Sequence, residues 1–268
     1  MNNNKLKATL ALVIILGGGI AAYFYWQQTQ PEPVAVVKAP PPSIAGAPKA
    51  EAGQIIETVP VITPLPKLAE SDSFVLDALA SLVENKSLMK LFHSERVIRN
   101  IVATIDNLPR MKLPVSVIPV EQAPGKFMTI GNEGKLSISP KNAARYAPYM
   151  NIAEAIDTRK LVEFYVRLYP LFQQAYADIG YPNNYFNDRL LEVIDDLLDA
   201  PDIKEPVKLV QPKVFYLFAD PDFEELSIGQ RILIRIGSKN EAKIKARLVE
   251  IKQELKLHMH DKKIGSAG

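Results

Sequence analysis

An uncharged stretch near the start of the chain limits its fold and location more than any other feature. From Ala8 to Trp26 no charged residue occurs, and two lysines come just before it. At 1.5 Å per residue, a helix of this stretch is about 28 Å long, close to the thickness of the hydrocarbon layer of a bilayer. The aromatic residues at its far end suit a membrane interface, and the lysines favour the cytoplasmic side. We therefore predict a cytoplasmic tip at 1–7 and a transmembrane helix at 8–26.

A cleaved signal peptide is the alternative to an uncleaved anchor. Gly19 and Ala21 offer a small-x-small cleavage site. The apolar run continues through the aromatic residues past this point, which favours the anchor. The absence of cysteine suits an oxidising compartment, where a free thiol is a hazard. We expect a single-pass protein of the cytoplasmic membrane, with its N-terminus inside and its C-terminal domain periplasmic or otherwise extracytoplasmic.

A proline-rich segment at 27–66 follows the predicted membrane helix. It holds nine of the chain's 21 prolines. Proline-rich chains favour the extended polyproline II conformation at about 3.1 Å per residue, so forty residues reach on the order of 120 Å when straight. The segment is predicted to be a linker that holds the next domain away from the membrane. The alternative is a ligand for a PxxP-binding domain, with the prolines at 40–42 and 60–66 as candidates.

A globular, mainly helical domain is predicted at 67–257, followed by a flexible tail at 258–268. Apolar residues recur there at helical spacing, and helix start signals occur at Ser71 or Ser73, at Ser94 and at Asp157. Ser227 and Gly237 bracket a further short helix. The class is therefore mainly α.

Three local patterns refine this prediction. Residues 126–139 alternate at period two about an Asn-Glu-Gly turn, which predicts one small β-hairpin. The sequence SKNE at 238–241 predicts a capping box for a last helix that ends near Leu257. Pro170 lies inside the longest helical pattern and is expected to kink it.

A stripe of acids marks the helix predicted within 185–201. Asp188, Glu192, Asp195 and Asp199 share one face, opposite a row of leucines and isoleucine. Like charges at this spacing destabilise a helix by about 0.2–0.5 kcal/mol per pair, so a cationic neighbour is expected from the basic last helix, Arg189 or Arg235. Three interpretations stay open: a solvated or ion-paired face, a docking face, and a metal or catalytic site.

Several classes of chemistry lack the residues they need. Only three histidines and no cysteine occur, which excludes a histidine-rich zinc site, a Glu-x-x-His di-iron bundle and thiolate catalysis. No nucleophile elbow or glycine-rich phosphate loop is found. The net charge of +2 gives no reason to expect nucleic acid as a partner. The sequence therefore predicts no catalytic, cofactor-binding or metal-binding residues, and it leaves the oligomeric state open.

Several motifs in fixed order resemble one bacterial family. They span nearly all of residues 65–255 and are DNLPR (106–110), NAARY (142–146), YPLFQQAY (169–176), GYP (180–182), FNDRLLEVIDDLL (186–198), LVQPKVFYLFADP (209–221) and LSIGQRILIRIG (226–237). The family is the membrane-anchored one catalogued as domain of unknown function 3014. The resemblance implies an N-terminal anchor, a proline-rich linker and an envelope-facing domain. It implies no established activity and supplies no catalytic residues.

Charged residues within these motifs are candidates for a polar network or an interaction site. An arginine among tyrosines and acids usually serves a bidentate ion pair. The candidates are Asp106, Arg145, Asp188, Arg189, Asp195, Asp220 and Arg235. Separate helix caps and surface pairs are the alternative to a network.

Three functions are compatible with the sequence. The one we favour is a noncatalytic binding or scaffolding module that the linker holds off the membrane, with an envelope protein or the cell wall as its partner. The second is an envelope glycan hydrolase that uses a carboxylate pair. The third is a membrane-complex assembly factor that works through the transmembrane helix.

Overall fold

The computed structural model describes residues 55–56, 64–83, 86–132, 134–204 and 206–260. The predicted cytoplasmic tip and transmembrane helix lie outside these residues, as do most of the predicted linker and the end of the tail. Among the helices that the model does describe, none has both the length and the apolar character needed to cross a bilayer. The membrane anchor and the linker stay predictions.

Helices make up most of the described chain, so the mainly α prediction is confirmed. They are α1 (Asp72–Leu82), α2 (Val97–Asn107), α3 (Asn142–Arg145), α4 (Ala147–Ala155), α5 (Thr158–Asp178), α6 (Phe186–Leu198), α7 (Pro221–Glu224), α8 (Ile228–Ile236) and α9 (Ser238–Leu257). Short 3₁₀ turns at Leu68–Glu70, Lys86–Leu91 and Val115–Val117 connect some of them.

The long helix α5 forms the centre of the core, where α2, α6 and α9 pack against it. Its aromatic side chains interlock with Phe186 at the start of α6. The rings of Phe172 and Phe186 are stacked with their centroids 5.9 Å apart, and Tyr165 and Tyr176 flank them. Each such side chain removes about 150–250 Å² from water, which holds α5 and α6 together. The helix runs through Pro170 to Asp178, and the predicted kink stays a prediction.

The predicted β-hairpin is half of a larger antiparallel sheet. Four short strands pair in the order β2 (Thr129–Ile130), β3 (Leu136–Ile138), β4 (Lys208–Val210) and β5 (Leu217–Phe218). The expectation of a single hairpin is therefore corrected. The second hairpin, β4 and β5, lies about seventy residues further along the chain and pairs with the first through β3.

One face of this sheet packs on helix α8, and the other is open. Leu136, Leu209 and Phe218 are cross-strand neighbours, and Leu209 and Phe218 are buried in a small core with Ile234 of α8. Val210 and Leu217 form the next cross-strand pair; both are exposed, which places them on the opposite face.

A two-stranded ladder joins the predicted linker to the predicted tail. Strand β1 (Ile55–Ile56) pairs antiparallel with β6 (Met259–His260), with Ile56 opposite Met259. The segment predicted as linker thus contains two residues that pair with the end of the domain. The other predicted boundaries of the linker, the domain and the tail stay predictions.

Helix starts agree with some sequence signals and depart from others. Asp157 caps α5 by accepting from the Lys160 amide at 3.2 Å, as predicted. Helix α2 starts at Val97, not at Ser94, because Asp72 of α1 accepts from the Val97 amide at 2.8 Å and from that of the preceding residue. A cap supplied from 25 residues away leaves no local pattern in the sequence.

The predicted capping box at the start of α9 is wrong. No side chain caps this helix, and Glu241 forms an ion pair with Lys245 instead. The capping box is one helix earlier, where Ser227 and Gln230 satisfy each other's backbone amides at the start of α8.

Candidate functional site

Asp106 lies in the last turn of α2, and its buried carboxylate contacts two arginines. Its Oδ1 accepts from Arg189 Nε at 2.9 Å and its Oδ2 accepts from Arg110 Nη2 at 2.7 Å. Arg189 Nη2 also donates to the Asp106 carbonyl at 2.7 Å. The side chain of Asp106 is only 5% exposed, so these charge-assisted bonds replace the water it loses. We call Asp106, Arg110 and Arg189 the arginine hub.

Two stacked tyrosines border the arginine hub. Arg110 Nη2 donates to the Tyr181 hydroxyl at 2.8 Å, and the rings of Tyr181 and Tyr176 are stacked 4.7 Å apart. Burial, and then the charge of Asp106, raise the pKa of Tyr176 to about 12. The Tyr176 hydroxyl is therefore neutral at physiological pH and unsuited to act as a base.

Arg189 keeps its charge in spite of its burial. Burial alone lowers the pKa of Arg189, but hydrogen bonds and charges from Glu192 and Asp106 outweigh it and raise the pKa. Arg189 Nη1 donates to Glu192 Oε2 at 3.0 Å. Two guanidinium groups thus face two carboxylates, and both oxygens of Asp106 are occupied. The arrangement is that of a clamp between α2 and α6, in which both oxygens of the Asp106 carboxylate are held by arginines.

Motifs from distant parts of the sequence meet at the hub. Asp106 and Arg110 come from DNLPR, Tyr181 from GYP and Arg189 from FNDRLLEVIDDLL. The start of α8, in LSIGQRILIRIG, docks on the same segment: the Ile228 amide donates to the Arg110 carbonyl at 2.7 Å. Four of the motifs that suggested a family therefore build one structural unit.

Two other predicted arginines lie elsewhere. Arg145 donates from Nε to the Pro124 carbonyl at 2.9 Å and from Nη2 to the Gly125 carbonyl at 2.8 Å, which fixes that loop. Arg235 lies over the Phe218 ring, with its guanidinium carbon 4.9 Å from the centroid. Asp220 caps α7 by accepting from the Asp222 amide at 3.1 Å. Among the seven candidates, Asp106 and Arg189 contact each other directly.

Two acids of the stripe on α6 form ion pairs with basic side chains. Glu192 pairs with Arg189, and Asp195 pairs with Lys252 of the basic last helix. Asp188 lies near Tyr169, where burial and then the Asp188 charge raise the tyrosine pKa.

The lysines of α9 are largely neutralised. Lys243 pairs with Glu154, Lys252 with Asp195 and Lys245 with both Asp202 and Glu241. The basic face therefore ties α9 to α4, to α6 and to the segment after α6.

Neutral side chains hold other connections between helices, and neither these connections nor Gln173 were predicted. Gln173 Oε1 accepts from the Phe186 amide at 2.9 Å, and its Nε2 donates to the Asn184 carbonyl at 2.9 Å. Ser227 Oγ donates to Asp196 Oδ2 at 2.7 Å, joining α8 to α6; burial raises the pKa of Asp196 and this bond opposes the rise. A single amide or hydroxyl among ordinary helix residues gives no sequence signal.

An open, mostly apolar groove lies at the sheet, where residues of β3, β4 and the segment after β4 line it. It has a volume of about 520 Å³, and its lining includes Leu136, Leu209, Gln211, Pro212 and Tyr216. None of its described lining residues is acidic. Across the described ranges, no three histidine or carboxylate side chains are grouped so that they could hold a metal ion.

These features define a mainly helical domain with a small antiparallel sheet, an internal arginine hub and a surface groove. The chain belongs to the family described as "Protein of unknown function (DUF3014)", whose model matches residues 97–252. The match covers the hub, the sheet and most of α9. No curated protein and no solved structure matches the chain.

The stability of the domain is expected to depend on pH through the buried carboxyl group of Glu241. Its side chain is 3% exposed and lies 3.3 Å from Lys245 Nζ; burial raises the carboxyl pKa, and Lys245 opposes the rise. A raised folded-state pKa means that stability is fully present below the unfolded pKa and is lost as pH rises through the folded pKa. Glu241→Gln is therefore expected to gain stability relative to wild type as pH rises from about 4, near the pKa of an unfolded glutamate. Urea unfolding across this range measures the difference.

The matched control is Gln253→Asn, an exposed change on the same helix that removes no titrating group. The difference in the free energy of unfolding between Gln253→Asn and wild type should be the same at every pH. The role of burial would be contradicted if the difference in the free energy of unfolding between Glu241→Gln and wild type stayed constant with pH, or if it changed in favour of wild type as pH rises.

Proposed function

We propose that this chain is a single-pass membrane-anchored envelope protein whose domain at 67–257 acts as a noncatalytic binding or scaffolding module. The linker sets its distance from the membrane. The observation that carries the binding role is the open apolar groove on the sheet. Concave, mostly apolar sites with a few polar groups are the usual form of a binding surface.

The distribution of charge supports binding over glycan hydrolysis. A carboxylate-based hydrolase needs two acids across a cleft, roughly 5 to 9.5 Å apart, with one of them free to move a proton. On the acidic stripe, Glu192 and Asp195 are engaged by Arg189 and Lys252. The described lining of the groove contains no acid. An envelope glycan hydrolase stays the alternative.

The anchor and linker are supported by the sequence. The uncharged stretch at 8–26 and the nine prolines at 27–66 suit a domain that must reach a partner or the wall layer. A spacer of this kind is of little use to an enzyme whose substrate diffuses.

Deletion of residues 35–54 tests the proposal and leaves β1 in place. Twenty residues of polyproline II span about 60 Å, so the shortened protein should lose reach. We expect the deletion to fail to complement a strain that lacks the gene, while the melting temperature of the purified protein stays unchanged. Replacing the same twenty residues with glycine and serine is the control for length, and it should restore much of the function.

Two outcomes would contradict the proposal. If the shortened protein complemented the strain fully, the length of the linker would have no role in the function. Release of sugar from purified envelope material by the shortened protein would favour the hydrolase.

A further inference from the structure

The two-stranded ladder fastens part of the predicted linker to the end of the domain. Ile55 and Ile56 of β1 lie opposite His260 and Met259 of β6. Strand β6 is fixed to the domain, because it begins one residue after α9 ends and Met259 packs against the main hydrophobic core. Strand β1 therefore brings the linker to the C-terminal end of α9, although the chain has still to pass through residues 57–63 before the domain begins.

Pairing of β1 divides the predicted linker into a spacer and a reserve. With the ladder closed, the spacer between the membrane helix and the domain is 27–54, which spans about 87 Å as straight polyproline II. With the ladder open, the spacer runs on towards Leu65, which packs against the main core. The reserve of nine residues gained, 55–63, adds about 28 Å. Closed and open ladders thus give the domain two different reaches.

A ladder of two residue pairs can open and close. A two-stranded ribbon is at best marginally stable in water, and only residues 57–63 have to be ordered for β1 to return to β6. The domain holds β6 at Met259, opposite Ile56, whereas the linker pulls on Ile55 at the other end of the ladder. Such a pull shears the ladder, so both pairs break together. The spacer therefore has two discrete lengths.

We propose that β1 and β6 form a latch that keeps the spacer at its shorter length and releases the reserve, 55–63, when the bound partner lies further from the membrane. The inference rests on the proposed membrane-anchored binding module and names how its reach is regulated. Binding of a distant partner favours the open state because only that state reaches it, and the opposing free energy of a two-pair ladder is small.

The distance between two spin labels measures the latch in the full-length protein in nanodiscs. The chain has no cysteine, so A52C and L257C are labelled specifically. Leu257 is 73% exposed at the end of α9, and position 52 is three residues before β1, so a closed latch holds the two labels within about 25 Å. Pulsed EPR should show this short component together with a broad, longer one.

I55P/I56P should leave only the longer component. In an antiparallel pair one of two successive residues donates to the partner strand, and proline has no amide hydrogen to donate. The matched control is I55V/I56V, which keeps both amides and should keep both components.

A disulfide tests the consequence for reach. Opposed Cα atoms in an antiparallel pair lie about 4.5–5.5 Å apart, within the range of a disulfide, so I55C/H260C should lock the latch in an oxidising compartment. We expect the locked protein to complement a strain that lacks the gene poorly. Duplication of residues 35–43, which adds nine residues of spacer, should restore complementation. The control I55S/H260S changes the same positions without a bond and should complement like wild type.

Five results would overturn the latch. An EPR distribution with only the short component means a fixed attachment, and one with only the long component means that the ladder does not form. The others are full complementation by the locked protein, no rescue by the longer linker, and equal loss in I55S/H260S. The linker deletion is read independently: if it complements fully, the proposed role of reach fails, and the EPR distances alone decide whether the latch exists.

Discussion

Asp106→Ala is expected to lower the free energy of unfolding by about 3 kcal/mol or more. The change removes the acceptor of two arginines at once. Arg189, whose side chain is 21% exposed, then keeps a charge without the partner on Oδ1. Arg189 would keep only the exposed Glu192 as a carboxylate partner, and the loss of the buried one costs more than the bond itself, because the guanidinium has already given up much of its water. Urea unfolding of the full-length protein measures the difference.

Asp178→Ala is the matched control for this experiment. Asp178 also pairs with an arginine, Arg99 at 3.0 Å, but both side chains are more than 40% exposed. Exposed pairs contribute about 0–1 kcal/mol, so this variant should be nearly as stable as wild type. If the two aspartate variants lost the same free energy, the hub would be no more than a pair of surface contacts.

The helices were predictable where the cause lies within one helix. Asp157, Ser227 and Gly237 are local signals, and the structure uses each of them at the predicted helix end. The start of α2 was placed three residues early because its cap, Asp72, belongs to another helix. Sequence reading finds interactions between near neighbours and misses those that the fold brings together.

The sheet shows the same limit. Strands β2 and β3 form a hairpin about one short turn and were predicted, whereas β4 lies seventy residues further along. Its pairing with β3 depends on the packing of the helices between them, which no local pattern records. The groove, which needs β3, β4 and the loop after β4, was therefore not predictable from any single stretch.

The arginine hub was foreseen only in part. Asp106 and Arg189 were both candidates because arginines and acids among tyrosines suggest paired charges. Arg110 was not among the predicted candidates. It lies four residues after Asp106, which is the spacing at which side chains of a helix meet. Arg145 and Arg235 were chosen, yet one binds carbonyls and the other an aromatic ring. Composition shows which groups need partners and does not show which partners the fold supplies.

Gly229→Ala is the second change with a large expected effect. Gly229 lies at the start of α8, where that helix meets α2 and α6. A Cβ at this position would lie 2.5 Å from Leu197 Cδ2, 3.3 Å from the Leu108 carbonyl oxygen and 3.4 Å from Leu108 Cβ. The amide of Gly229 donates to that same carbonyl at 3.0 Å, so α8 cannot move away without lengthening the bond.

Two effects of the alanine oppose each other. Alanine favours a helix over glycine by roughly 1 kcal/mol, whereas overpacking a filled core costs about 1–3 kcal/mol. Overpacking should dominate, because Leu197 and Leu108 are both fully buried. We expect a net loss of about 2 kcal/mol in the free energy of unfolding.

The double variant Gly229→Ala with Leu197→Ala tests whether crowding is the cause. Leu197→Ala alone creates a cavity and should cost about 2–5 kcal/mol, but it also removes the atom nearest to the new Cβ. The double variant should therefore lose at least about 0.5–1 kcal/mol less than the sum of the two single losses. Two results in urea unfolding would contradict this: strict additivity of the two losses, or a Gly229→Ala protein as stable as wild type. Either result would mean that α8 shifts freely on α6. The close approach of these helices would then not fix the segment on which the arginine hub is built.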